Sequence, residues 1–173
     1  MTWLKNIGTF KTKFEYFIVD CGSIHLIPTI CVDLALLPMI FALAYPGNAL
    51  NILDAVAALL SVIAVIIQII SDQQMYNFRN NITTSKTMQT GLWFYSRHPN
   101  YFGEILFWFS LFVFSIASSI SFAWLLIGCI VMYALIAIAS VSMMDKRSLN
   151  RRPDFKDYMD STPAIFLNIF KKS

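Results

Sequence analysis

Four apolar runs dominate this chain, at residues 21–45, 52–70, 99–120 and 122–144. A helix of about twenty apolar residues crosses ~30 Å of hydrocarbon. Inside a bilayer every backbone N–H and C=O must find its partner within the protein, which leaves helices or closed barrels. Continuous runs, without strict alternation, select helices. The expected fold is therefore all-α, a polytopic membrane helix bundle with about four transmembrane helices. Charged residues make up 13% of the 173, against about a quarter in a soluble domain. That balance excludes an ordinary soluble enzyme and a nucleic-acid-binding domain. The three cysteines, Cys21, Cys31 and Cys129, lie in or beside the apolar runs with no metal-ligand spacing, and no metal site is expected.

The placement of positive charge sets the topology. The thirteen Lys and Arg fall before the first run (Lys5, Lys11, Lys13), between the second and third (Arg79, Lys86, Arg97) and after the fourth. The other two connections carry none. Four spans put these three regions on one side, and the positive-inside rule makes that side cytoplasmic, with both termini. Residues 1–20 read as an amphipathic segment, with Trp3, Leu4, Ile7, Phe10, Phe14 and Phe17 at roughly helical spacing and lysines between. Residues 21–173 read as one membrane domain. The setting is the endoplasmic reticulum in a eukaryote or the inner membrane in a bacterium.

Polar residues within this apolar frame are the candidates for chemistry. Asp33 stands at mid-span in the first run, which predicts that it faces the bundle interior or is protonated. Asn51 or Asp54 is placed to cap the second helix. That helix is expected to run on past the membrane, where Asp72, Tyr76 and Arg79 share one face. A carboxylate, a phenol and a guanidinium so placed suit a ribose, a base and a phosphate. The alternative is a solvated helix end. After the fourth run a charged helix is expected to continue to about Arg152 and to break before Pro153, with Asp145 and Arg152 on one face.

The densest polar stretch is Gly91-Leu-Trp-Phe-Tyr-Ser-Arg-His-Pro-Asn-Tyr-Phe-Gly-Glu104. Pro99 suits the first position of a helix, with His98 as its cap. Free N–H groups and the positive helix end then favour an anion, with Arg97 and His98 just outside. Asn100 and Glu104, four apart, share a face. Either the stretch holds a phosphorylated cofactor or its Trp, Tyr, Arg and His anchor the lipid boundary. The topology favours a site, because Asp72 to Arg79, Arg97 to Glu104 and Asp145 to Tyr158 all converge at one membrane face.

These residues resemble a family. The stretch 91–104 is similar to the hallmark motif of membrane proteins related to the C-terminal domain of steroid 5-alpha-reductase. Ser71-Asp72 with Phe78-Arg79, and Asp145-Lys-Arg-Ser-Leu with Arg152-Pro-Asp-Phe-Lys-Asp-Tyr158, fall where that family has flanking motifs. The shorter Arg97-His98-Pro99-x-Tyr101 core also resembles sterol reductases and isoprenylcysteine and phospholipid methyltransferases. The resemblance implies an NADPH site facing the cytoplasm. Asp72 would contact the nucleotide, Arg79 the phosphates, and Tyr95 and Asn100 the nicotinamide end, which Glu104 supports. Asp145 and Tyr158 would close the pocket. It implies reduction of a C=C bond in a sterol-like or other lipid substrate, with hydride going to the β carbon and an acid or water protonating the α carbon.

Two further readings stay open. One is an S-adenosylmethionine-dependent methyltransferase acting on a lipid or a prenylated cysteine carboxylate, with the Arg97-His98 helix end in its site. Such enzymes show two adjacent Glu after the last span, and Met144-Asp145 offers one acid. The other is a non-catalytic scaffold or partial reductase. The reductases carry additional N-terminal spans with the proton-donating pair, and this chain is expected to begin after them. His25 and Asp33 are the polar candidates left within the first run.

Overall fold

The computed structural model describes residues 21–47, 49–81 and 87–168. The amphipathic segment expected over residues 1–20 lies outside the described residues. Among those described there are helices and no strands, as the continuous apolar runs predict. The helices are α1 (Ile27–Ala44), α2 (Ile52–Asn81), the single turn α3 (Leu92–Tyr95), α4 (Pro99–Ser118), the long α5 (Ile120–Leu149) and α6 (Phe155–Ser161). The four long ones, α1, α2, α4 and α5, are apolar enough to cross a membrane. A one-and-a-half-turn π segment, Cys21–Leu26, leads into α1.

The caps follow from short polar side chains. Asn51 Oδ1 accepts the Leu53 N–H and Asp54 Oδ2 accepts the Asn51 N–H, both at 2.8 Å. This is a reciprocal box in which both candidates act together. The hairpin between α4 and α5 needs a single extended residue, Ser119, whose hydroxyl oxygen accepts the Ser121 N–H. Helix α5 opens as a 3-10 turn over Ile120–Leu125 and loosens to a π turn over Leu135–Val141. It ends at Leu149 and not at the expected Arg152. The N–H groups of Arg151 and Arg152 both turn back to the Ser148 carbonyl, and Pro153 disfavours helix in the residue before it.

Helix α4 is central, with α2 on one flank and α1 and α5 on the other. In lipid there is no hydrophobic drive between helices, so close approach of small residues decides the pairing. Helix α2 buries Ala57, Ala64 and Ser71, a row seven apart. Against that row lies Gly103, where a Cβ would stand 2.8 Å from Gln68 Cγ and 2.9 Å from the Ala64 carbonyl oxygen. The hydroxyls of Ser61 and Ser110 meet at 2.7 Å in the same interface. Gly128 performs the same service between α5 and α1, where a Cβ would collide with the Leu34 carbonyl.

Of the two alternatives for Asp33, the structure contradicts the inward-facing one: the residue is exposed. Helix α1 packs through Cys31, Ala35 and Pro38, and Asp33 stands on the opposite face, two residues and about 200° from Ala35. An acidic residue at the centre of a lipid-facing helix costs about 2.5–3.5 kcal/mol.

Thirty residues of α2 span about 45 Å at 1.5 Å per residue, well beyond the hydrocarbon. Its last turns therefore project past the membrane, carrying Asp72, Tyr76 and Arg79, and form one wall of the site described next.

Candidate functional site

The stretch 91–104 is fastened on three sides. Toward α2, Gln74 Oε1 accepts the Leu92 N–H at 3.0 Å and Trp93 Nε1 donates to the Ser71 carbonyl at 3.0 Å. Gly91 makes this approach with φ of 62°, a region open to glycine, and a Cβ there would run into the Gln74 side chain. Toward the tail, Arg97 N–H and His98 N–H donate to the Pro163 and Ala164 carbonyls, and Asn168 N–H returns to the Tyr95 carbonyl, at 2.9–3.0 Å. Ser96 is fully buried and donates to the Ile165 carbonyl at 2.8 Å. Toward α6, the Tyr158 hydroxyl faces the carbonyls of Trp93 and Ser96. Burial pushes the Tyr158 phenol up, the Arg97 cation only partly offsets it, and the group stays a donor.

His98 is the N-cap residue and Pro99 the first helical residue of α4, as predicted. The basic pair is not free. Arg97 Nη2 donates to Asp145 Oδ2 at 2.9 Å, and Nη1 donates to the Met159 and Thr162 carbonyls at 2.8 and 3.1 Å. His98 directs Nε2 at Asp145 Oδ1, also at 2.9 Å, and stacks on Tyr101 with ring centres 5.5 Å apart. Asp145 is 7% exposed. One buried carboxylate on α5 thus sets the orientation of both side chains at the start of α4. Near the same rim, Asp154 accepts the Thr87 N–H at 2.9 Å. Burial works against that carboxylate, but this bond and nearby Arg152 outweigh it and hold Asp154 below its ordinary value.

These attachments frame a cavity of about 930 Å³, at the upper end of the range for small-molecule and cofactor sites. Its walls come from the end of α2, the residues before α4, the first turn of α4, the end of α5 and α6. Of the residues singled out from sequence, Asp72, Tyr76, Arg79, Arg97, His98, Asn100, Arg152 and Tyr158 line it. Three do not. Asp145 sits behind Arg97 and His98 as their common acceptor. Glu104 lies half-buried one turn beyond Asn100. Tyr95 is 36% exposed and packs edge-on against Phe94.

The lining also holds Arg147, Arg151 and Arg152. Of these, sequence reasoning had singled out Arg152 alone. A signal for the others was present: Met144, Arg147, Ser148 and Arg151 are spaced i, i+3, i+4, i+7 and line the cavity together. The lining thus carries five arginines, Arg79, Arg97, Arg147, Arg151 and Arg152, against one carboxylate, Asp72. Among the lining residues, Arg97 Nε and Asn100 Oδ1 are buried without a hydrogen-bond partner. Each such atom costs about 1–3 kcal/mol. A cationic, partly apolar hollow with unspent donors and acceptors is equipped to bind a polyanion bearing polar edges. No group of His, Cys, Asp and Glu suited to a metal ion occurs among the described residues.

Fold and cavity together define a helical membrane protein with a cationic pocket at one end of its bundle. The chain belongs to the family described as protein of unknown function DUF1295, whose model matches residues 3–162. It is 26% identical to an uncharacterised protein of Schizosaccharomyces pombe, over 95% of this chain and 53% of that protein. The chain thus spans about half the length of the curated relative it matches. No solved structure matches it.

Proposed function

We propose that the cavity binds NADPH and that the protein is a membrane oxidoreductase reducing a C=C bond of a sterol-like or other lipid substrate. The observation that carries this reading is the charge of the lining: besides Arg97, which is paired with Asp145, four arginines stand against one carboxylate. NADPH brings a pyrophosphate and a 2′-phosphate, and a phosphate monoester alone carries about −1.5 to −2 charges. S-adenosylmethionine brings a sulfonium and an ammonium against one carboxylate and is net positive. A lining of this sign favours the first and repels the second. The reductase chemistry itself rests on the motif at 91–104 and its flanking segments.

The residues present fit such a cofactor. Arg79, Arg147, Arg151 and Arg152 would hold its phosphates, for which guanidinium forks are suited. Asp72 would accept from ribose hydroxyls. Asn100 Oδ1, buried and unpartnered, is an acceptor for a carboxamide N–H. When bound, the cofactor supplies a hydride to an electron-poor carbon of the substrate double bond. The protein binds, orients and excludes water. Asp145 fixes Arg97 and His98, and Tyr158 holds the backbone of the 91–98 segment against α6. The positive-inside rule puts this end of the bundle on the cytoplasmic side, where the cofactor is supplied.

Thermal unfolding of the purified protein in detergent tests the reading. NADPH is expected to raise the midpoint, NADH less, and S-adenosylmethionine not at all. Arg79→Ala and Arg151→Ala are expected to weaken NADPH by about ten- to hundredfold, the worth of a hydrogen bond to a charged group. Stabilisation by S-adenosylmethionine alone would overturn it.

A further inference from the structure

The end of the bundle away from the arginines holds a second cavity, of about 470 Å³, bounded by α1, α2, α4 and the link between α1 and α2. That volume is within the range of small-molecule sites. Most of its wall is apolar, from residues such as Met39, Leu50, Leu111 and Phe114. Its charge has one sign. Helices α1 and α4 both end here, and their last-turn residues Ala42, Leu43, Ala117 and Ser118 line it. Each helix C-terminus carries about half a negative charge. The Asp54 carboxylate stands in the same lining. The N-terminus of α2 offsets part of this charge, and the balance stays negative. Among the described residues no Lys, Arg or His lines the cavity, and the sequence contains none from 26 to 78 or from 104 to 145. Asp54 Oδ2 accepts the Asn51 N–H at 2.8 Å. A carboxylate accepts at about four positions, so the cap does not exhaust it.

We propose that this cavity binds a long-chain amine, an amphiphile with an ammonium head and one aliphatic chain, which enters from the leaflet at this end. The chain packs on the apolar wall. The head donates to Asp54 and lies at the ends of α1 and α4, where a cation is stabilised by the helix dipoles. A charged hydrogen bond of this kind is about twice as strong as a neutral one. A long-chain alcohol fills the same wall but brings no charge to balance the carboxylate. A phospholipid with an amine head brings a phosphate as well, and the lining offers that phosphate no cation. A fatty acid is repelled outright. The inference does not depend on what the arginine-lined cavity binds.

The test is native mass spectrometry of the whole chain, released from neutral maltoside micelles at neutral pH. Dodecylamine, dodecanol, dodecanoate and lysophosphatidylethanolamine are titrated separately. Dodecylamine is expected to bind saturably, one molecule per chain, and each of the other three at least about tenfold more weakly, the worth of a hydrogen bond to a charged group. Asp54→Asn keeps a side-chain oxygen for the Asn51 N–H, and with it the cap and the unfolding midpoint. It is expected to weaken dodecylamine about tenfold and to leave dodecanol unchanged. Asp72→Asn removes the carboxylate of the arginine-walled cavity and is expected to leave dodecylamine unchanged. Dodecanol bound as tightly as dodecylamine, no saturable binding of dodecylamine, wild-type affinity in Asp54→Asn, or a loss found in Asp72→Asn instead would overturn the proposal.

Discussion

The bundle has a cavity at each end, and the two are opposites. The one between the ends of α2 and α5 measures about 930 Å³ and is walled by arginines. The one beneath the α1–α2 link measures about 470 Å³ and is walled by Met39, Leu43, Leu50, Leu111 and Phe114, with Asp54 as its charged residue. At the first end, polar side chains hold backbone in place across long stretches of sequence. Arg97 reaches Asp145, Met159 and Thr162, and Ser96 reaches Ile165. At the second end the polar bonds among the described residues include the Asn51–Asp54 box, the link from Asn51 Nδ2 to the Ala117 carbonyl, the Ser119–Ser121 turn and the longer Ser118 to Ala42 contact. The difference teaches where preorganisation has been built. The α1–α2 link is a short turn that local bonds close, whereas the arginine-walled end joins segments far apart in sequence and holds them by a buried ion pair and buried hydroxyls.

The largest expected effect lies at the built end. Asp145→Ala leaves the Arg97 guanidinium buried without its carboxylate, and stability is expected to fall by about 3–5 kcal/mol. Chemical denaturation in mixed micelles reads this, and a loss under 1 kcal/mol would mean that the pair is not structural. Gly103→Leu forces side-chain atoms into the Ala64 and Gln68 contact. Overpacking of this kind costs about 1–3 kcal/mol, and an unchanged midpoint would show that α2 and α4 are not held so close. Asp54→Ala removes half of the box at the other end, with an expected cost of about 1 kcal/mol and no change in NADPH affinity. A change in affinity would couple the two ends and break the contrast between them.

The smallest effect is in pH dependence. Burial raises the Tyr158 phenol above its ordinary value of 10.0. A group raised on folding contributes stability that is complete below its unfolded pKa and is lost as pH rises through the folded one. The wild-type unfolding midpoint is therefore expected to fall as pH is taken above 10. Tyr158→Phe is expected to start about 1 kcal/mol lower and to show a shallower fall. Parallel curves would remove Tyr158 as the origin.

Much of the fold was legible because its signals are one-dimensional. Apolar runs of fixed length give the spans, and Pro99 after His98 gives the start of α4. The site was legible where a motif concentrates it. Arg97, His98 and Asn100 line the cavity, and Asp72 and Arg79 join them because α2 is long enough to carry them past the membrane. Asp145 was expected to close the pocket, but it sits behind the basic pair, a place that depends on how α5 lies against α4, which spacing along one helix does not encode. Arg147 and Arg151 were hidden in a run of charge that reads as a solvated helix end, although their spacing with Met144 marks one face. Asp33 was expected to face inward or to carry a proton, and the first alternative fails because α1 packs through Cys31, Ala35 and Pro38, which leaves Asp33 on the opposite face.

The central claim is that the arginine-walled end binds a phosphorylated dinucleotide. Isothermal titration of the purified protein with NADPH, and separately with S-adenosylmethionine, tests it most directly. The account predicts saturable binding of NADPH, weakened about ten- to hundredfold in Arg151→Ala, and none of S-adenosylmethionine. Binding of S-adenosylmethionine, or binding of neither ligand by folded protein, would contradict it.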